Sequence, residues 1–158
     1  MFLAIYHCSV KIIGRSKGKS VIAAAAYRAG AKLYDRETGT AHDFTRKGGV
    51  IYREILLPEH APKEYLDRQV LWESVTKAEK KSNAQLAREV EVALPIEFSR
   101  ELQLAVIREY VQDNFVSKGM CADIAIHDKG NGNPHAHILL TTRPLKADGS
   151  WGVKEKKD

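Results

Sequence analysis

Three histidines carry the clearest chemical signal in the chain. His127 is followed, after a run rich in Gly and Asn, by Asn133-Pro134-His135-Ala136-His137. Residues two apart on a strand project to the same side, so His135 and His137 share a face wherever this segment is extended. If a hairpin pairs His127 with His135, then Ala125 lies opposite His137. All three imidazoles then fall on one face, and the small Ala125 leaves room between them. Three neutral imidazoles on a two-stranded platform can hold a divalent metal with open positions, as a catalytic centre requires and a closed structural site does not. A lone His-x-His pair beside a turn is more often a pair of ordinary surface residues. The third histidine at the facing position favours the metal site.

A metal needs a group to act with it, and the candidates for nucleophile or base are Tyr27, Tyr34, Glu89 and Glu91. Tyrosine has a free pKa of about 10 and is a weak nucleophile unless its proton is removed or its target is polarised by a Lewis acid. Spacing alone does not choose among the six tyrosines, and Tyr27 and Tyr34, seven apart, would share a helix face as core or interface residues. A competing signal is Gly14-Arg15-Ser16-Lys17-Gly18-Lys19-Ser20, set between a strand and a helix as a phosphate-binding P-loop would be. That loop has four residues between its glycines, whereas three separate Gly14 from Gly18, so the amides would converge differently. An NTPase is therefore a distant reading. The segment reads as a basic turn, solvated or in contact with phosphate.

The elements that must position these groups are legible from periodicity. Residues 2–13 alternate, with Phe2, Ala4, Tyr6, Cys8, Val10 and Ile12 on one face. Ser20 stands where an N-cap belongs, ahead of an Ala-rich helix expected to run to Leu33 and to contain Tyr27. A short strand around residues 42–45 is expected to form a hairpin with residues 50–57. A second helix is expected over residues 63–80, and a strand over 86–94 with Val90, Val92 and Leu94 on one face and Ala87, Glu89, Glu91 and Ala93 on the other. Ser99 caps a third helix, closed by Gly119 at a C-cap position, and strands over 120–127 and 135–143 complete the core. Beyond Leu145 the chain turns polar. Residues 1–145 therefore read as one domain, and 146–158 as a tail that adds no core, the start of a linker in a longer protein.

Composition bounds the rest. The chain has 158 residues, 44% hydrophobic and 28% charged, which suits one folded domain and excludes a disordered tail. The net charge of +5 and a pI of about 9.2 suit a polyanionic partner without demanding one. No window approaches the roughly 20 apolar residues of a membrane span, and the apolar start lacks the marks of a secretory signal. Cys8 and Cys121 are too few for a disulfide framework and read as buried small apolar residues, so a cytoplasmic location is expected.

With these residues in view, the chain resembles the MobA/MobL family of plasmid mobilisation relaxases, within the His-hydrophobe-His endonuclease superfamily. The resemblance runs over most of residues 6–145. It rests on Ile5-Tyr6-His7-Cys8-Ser9 with Ser16-Lys17-Gly18-Lys19-Ser20, on Ala26-Tyr27-Arg28 and on Glu54-Ile55-Leu56-Leu57-Pro58. Further on it rests on Ala87-Arg88-Glu89, Leu94-Pro95 and Asn133-Pro134-His135-Ala136-His137. The resemblance implies an α+β fold: a central, mostly antiparallel sheet of five strands with helices chiefly on one face. In that arrangement the first strand and the His hairpin lie near the sheet centre, and an open face receives DNA.

The activity it implies is a nick in one DNA strand at a transfer origin, by attack of a tyrosine that matches Tyr27. His127, His135 and His137 match the metal ligands. Glu89 matches an acidic residue near the site that orients a histidine, touches the metal or takes the tyrosine proton, and Glu91 shares its strand face. The implied cofactor is Mn²⁺ or Mg²⁺, although imidazoles also accept Zn²⁺, Ni²⁺ or Co²⁺. The implied partner is single-stranded DNA beside a hairpin, with accessory mobilisation proteins as further candidates. One nucleophile per chain is compatible with a monomer. Lys17, Lys19, Arg28, Arg46, Lys47 and Lys129 are the candidate backbone contacts, since counterion release drives such binding. The alternative is a non-catalytic nucleic-acid-binding module whose histidines are structural.

Overall fold

The computed structural model describes residues 8–154. Five strands form one antiparallel sheet in the order β1-β5-β7-β6-β4, comprising β1 Cys8–Gly14, β4 Val50–Leu56, β5 Gln85–Ala93, β6 Ala122–His127 and β7 His135–Leu140. A separate two-stranded hairpin pairs β2 Lys32–Asp35 with β3 Thr40–Asp43. Three α-helices complete the set: α1 Val21–Ala29, α2 Arg68–Ala78 and α3 Arg100–Asn114.

Alternation along the strands sorts side chains into two cores. Val90, Val92, Ile124, Ile126, Ala136, Ile138 and Leu140 meet Ile107 and Val111 of α3 on one face. Ile13, Ile55, Ala87 and Leu139 meet Val21, Ile22, Ala25 and Ala26 of α1, and Leu71, Trp72 and Val75 of α2, on the other. Each such large side chain, fully buried, contributes about 1.5–3 kcal/mol. The α+β fold with its five-stranded antiparallel sheet is as expected, and two of the three α-helices share a face. The histidines lie on that same helix-covered face, at the end reached by the last turn of α1, rather than on an open one. A buried carboxylate ties α2 to the histidine strand. Asp123 of β6 accepts from Arg68 Nε at 2.8 Å and Nη2 at 2.9 Å, and from Trp72 Nε1 at 3.0 Å.

Several local expectations change. The described part of the first strand is an edge strand, and residues 2–7, with Ile5-Tyr6-His7 of the family motif, lie outside the described residues. The α3 core spans β4 to β7 and does not include β1, which leaves Val10 54% exposed and Cys8 exposed rather than buried. Cys121 is buried, and burial pushes its thiol up to about 12.

The first helix stops at Ala29, because Gly30 takes a left-handed φ of 62° and the amides of Gly30 and Ala31 turn back to the carbonyls of Tyr27 and Ala26. Tyr34 therefore sits in β2 and shares no helix face with Tyr27. Residues 50–57 pair with β6, not with residues 42–45, whose strand partner is β2. The expected second helix divides into a 3-10 turn, Lys63–Leu66, and α2, because Asp67 intervenes as an N-cap that accepts from the amides of Gln69 and Val70. Gly119 closes the 3-10 turn Val116–Lys118 that follows α3 rather than α3 itself.

The segment after Leu145 does add to the core. Trp151 stacks on Tyr65 with ring centroids 5.6 Å apart, donates from Nε1 to Ser74 Oγ at 2.9 Å and bridges Leu145. Among the described residues no helix is long and apolar enough to cross a membrane.

Candidate metal centre

The hairpin register is the one the histidines required: His127 opposes His135 and Ala125 opposes His137. The three imidazoles form a cluster with ring centroids 4.4 Å, 4.9 Å and 5.4 Å apart, and one ring nitrogen from each lies within 4.8 Å of the others. His127 and His137 are buried and His135 is half-buried.

Each ring is oriented by a neighbour that fixes which nitrogen remains free. His127 Nε2 donates to the Arg28 carbonyl at 2.7 Å, which leaves Nδ1 as its ligating atom. His135 Nδ1 donates to the Asn133 carbonyl at 2.9 Å, which leaves Nε2. His137 Nδ1 lies 3.4 Å from Glu89 Oε2 and 3.4 Å from Glu91 Oε1, long contacts that still direct Nδ1 at the carboxylates and leave Nε2 free. Burial, opposed by the bond to Arg28 and assisted by the charges of His137 and Lys47, lowers His127 to about 4. It is therefore neutral at physiological pH, the form that binds a metal. A donor set of three imidazoles with carbonyl and carboxylate support fits a divalent ion.

The last turn of α1 brings Tyr27 to this cluster. Its ring meets Phe44 edge to face at 5.1 Å, and Lys47 Nζ stands 3.5 Å from the ring centroid while donating to the Tyr27 carbonyl at 3.0 Å. Tyr27 is 42% exposed and lines a cavity of about 410 Å³ with Arg28, Lys47, Glu91, Lys129 and the three histidines. Burial, then the nearby charges of Arg28 and Lys129, lower the Lys47 pKa.

Glu89 sits behind the cluster. It is 4% exposed, pairs through both oxygens with Arg28 Nε and Nη2, and also faces His137. Burial would raise its pKa, but His137 and Arg28 overcome this and hold it at about 2. Glu91, its side chain 39% exposed, is the carboxylate that lines the cavity.

The cationic candidates separate. Lys47 and Lys129 line the cavity, and Arg28, half-buried, is engaged with Glu89. Lys17 is exposed in the 3-10 turn Arg15–Lys17. Lys19 lines a different cavity, of about 480 Å³, beside the start of α1, roughly 12 Å from Tyr27 along the helix axis. Arg46 is exposed beside Lys47 in the β3–β4 loop. The Phe44 contact, the Lys47 stacking and the Arg28–Glu89 pair leave no mark in the sequence pattern, because each joins residues distant along the chain. The nearest signal was the position of Arg28 next to Tyr27.

The fold and site together define an α+β domain with a three-histidine candidate metal centre on adjacent antiparallel strands and a helix-borne tyrosine above it. The MobA/MobL family model matches residues 19–158. The chain is 43% identical to "Conjugal transfer protein TraA" of Rhizobium radiobacter, over 97% of this chain and 15% of that protein. It is 37% identical to "Mobilization protein MobL" of Acidithiobacillus ferridurans, over 96% of this chain and 46% of that protein. A solved structure described as "Molecular Basis of Vancomycin Resistance Transfer in Staphylococcus aureus" superposes with a TM-score of 0.89 at 33% identity, over 97% of this chain and 78% of that one. The chain belongs to the MobA/MobL family of relaxase and mobilisation proteins. It spans less than half the length of either curated relative.

Proposed function

We propose that this domain is a DNA-nicking transesterase that opens one strand at a plasmid transfer origin and can reseal it. The observation that carries the reading is Tyr27 and three oriented histidines lining one basic cavity, in a chain of this family. His127 Nδ1, His135 Nε2 and His137 Nε2 would hold a divalent ion, Mn²⁺ or Mg²⁺ in the working protein, with Zn²⁺, Ni²⁺ or Co²⁺ as substitutes. Such an ion supplies Lewis-acid polarisation of the scissile phosphate and charge stabilisation at its oxygens.

The chain's own residues do the rest. Tyr27 Oη attacks phosphorus, the bond from phosphorus to the 3′ oxygen breaks, and the strand leaves as a free 3′-hydroxyl while its other part stays as a 5′-phosphotyrosyl ester. Glu91, open to the cavity, would take the phenolic proton and give it up to the departing 3′ oxygen. Glu89, with both oxygens engaged by Arg28, serves instead to orient His137. Lys47 and Lys129 flank Tyr27 and hold backbone phosphates. The ester conserves the energy of the phosphodiester, so rejoining needs no nucleotide. Single-stranded DNA beside the origin hairpin is the substrate.

The test incubates the chain with 3′-labelled single strands tiled across the origin region, with Mn²⁺ or with chelator. A labelled, denaturation-resistant protein band that needs metal, and is lost in Tyr27→Phe without loss of DNA binding, is the expected result. Tight binding with no adduct on any strand leaves a non-catalytic binding module and overturns the proposal.

A further inference from the structure

The C-terminal turn of α1 does more than present Tyr27. A helix leaves its last four carbonyls without partners inside the helix, and here each finds a donor beyond Ala29, two of them helped by the Gly30 and Ala31 amides that cap the helix. Ala26 O accepts from the Ala31 amide at 2.9 Å, and Tyr27 O from Lys47 Nζ at 3.0 Å. Arg28 O accepts from His127 Nε2 at 2.7 Å, and Ala29 O from Arg53 Nε at 2.8 Å. Of these, only the Arg28 carbonyl meets one of the clustered histidines.

The side chain of the same residue reaches the support of a second one. The Arg28 guanidinium grips Glu89 as a two-pronged fork, with Nη2 to Oε1 at 3.0 Å, and Glu89 Oε2 faces His137 Nδ1 at 3.4 Å. The fork is half-buried, and Glu89 is almost fully buried, so the pair is shielded from competing water and salt. One residue, adjacent to the tyrosine, thus supports two of the three imidazoles: by main chain at His127 and by side chain, through Glu89, at His137.

We infer that Arg28 is a positioning residue that registers the Tyr27 helix against the metal cluster, and not a contact to the DNA backbone. The inference rests on the metal reading given under Proposed function. Its logic is geometric. Without the fork, Glu89 is free to swing away from His137, whose Nδ1 has no short hydrogen bond of its own and keeps only the 3.4 Å contact to the more exposed Glu91. His137 then no longer presents Nε2 to the cluster in a single orientation. Loss of a partner behind a metal-binding imidazole typically weakens metal affinity by about 10–100-fold. A lysine cannot replace the fork, because it carries a point charge rather than two parallel donors.

The test measures two quantities that separate the roles. Mn²⁺ affinity of the chain is measured by calorimetry without DNA, and the salt dependence of binding to a dT oligonucleotide is measured in chelator. For Arg28→Met the Mn²⁺ Kd is expected to rise about 10–100-fold while the salt slope stays as in the unmodified chain. Arg28→Lys is expected to recover only part of the affinity, and remains informative if the methionine variant folds poorly. In a Glu89→Gln background, Arg28→Met is expected to cost little more, since the two residues act as one unit. An unchanged Kd with a slope smaller by about 0.7 would identify a phosphate contact and overturn the inference. Unchanged values of both would overturn it as well. An unmodified chain that binds no Mn²⁺ would instead refute the metal reading itself, and the inference with it.

Discussion

Replacing Lys47 with methionine separates stability from binding. Lys47 Nζ stands 3.5 Å from the Tyr27 ring centroid and donates to the Tyr27 carbonyl at the negative end of α1. The first contact is worth about 0.5–1 kcal/mol at a partly exposed site, and a cation at a helix C-terminus about 0.3–1 kcal/mol. Against them stand the burial of the ammonium and repulsion from Arg28 and Lys129, which together lower its pKa. These opposing effects are of similar size, so the net cost of Lys47→Met is expected to be about 0–1 kcal/mol. For a chain of this length that moves the Tm by no more than about 4 °C. Arg28 is already paired with Glu89, but Lys47 and Lys129 line the Tyr27 cavity together, where a backbone phosphate would complete their charge, so binding should suffer where stability does not. Fluorescence anisotropy with a dT oligonucleotide across a salt series is expected to show weaker binding and a slope smaller by about 0.7, the loss of one phosphate contact. A Tm drop of about 8 °C or more with an unchanged slope would refute this reasoning and make Lys47 a structural clamp.

Asp123→Ala strips three donors of their acceptor, leaving Arg68 and the fully buried Trp72 indole unpaired. A loss of about 3–5 kcal/mol in urea unfolding is expected, and a loss below about 1 kcal/mol would contradict the anchoring role. His127, held at about 4 chiefly by burial, should titrate near that value by NMR in chelator; a midpoint above about 6 would contradict its placement. Its sign follows from linkage: the unfolded imidazole binds a proton near about 6.5 and the folded one does not. This residue's contribution is therefore full above that value and is lost as pH falls toward about 4.

What the sequence made legible was local. Ser20 and Ser99 cap their helices as expected, and the alternation in 85–93 places Glu89 and Glu91 together. The Gly- and Asn-rich turn suits a hairpin, and the register that would group the histidines, His127 opposite His135, is the one present. What escaped was non-local. The apolar Leu33 extends a helical pattern past Gly30, although Gly30 is itself the local stop signal, and the pairing of Leu33 with His42 in a hairpin carries the chain on as a strand. The partner of β4 lies some seventy residues away in β6, beyond the reach of periodicity. Trp151 in a polar run gave no sign that it would stack on Tyr65. Arg28 looked like any basic residue near a nucleophile, because nothing in composition distinguishes a guanidinium that faces phosphate from one that faces a buried carboxylate.

The central claim is that Tyr27, and no other tyrosine, is the group poised over the three histidines for attack on DNA. The most direct measurement is peptide mapping of the covalent product: the adduct formed with Mn²⁺ is digested with nuclease and trypsin and read by mass spectrometry. Cleavage after Lys19, Arg28 and Lys32 isolates Tyr27 in residues 20–28, or in 20–32 if the adduct blocks the bond after Arg28, and Tyr34 falls in residues 33–36 in either case. The account predicts the residual nucleotide mass on the Tyr27 peptide alone. The same mass on the Tyr34 peptide, or on any peptide without Tyr27, would contradict it.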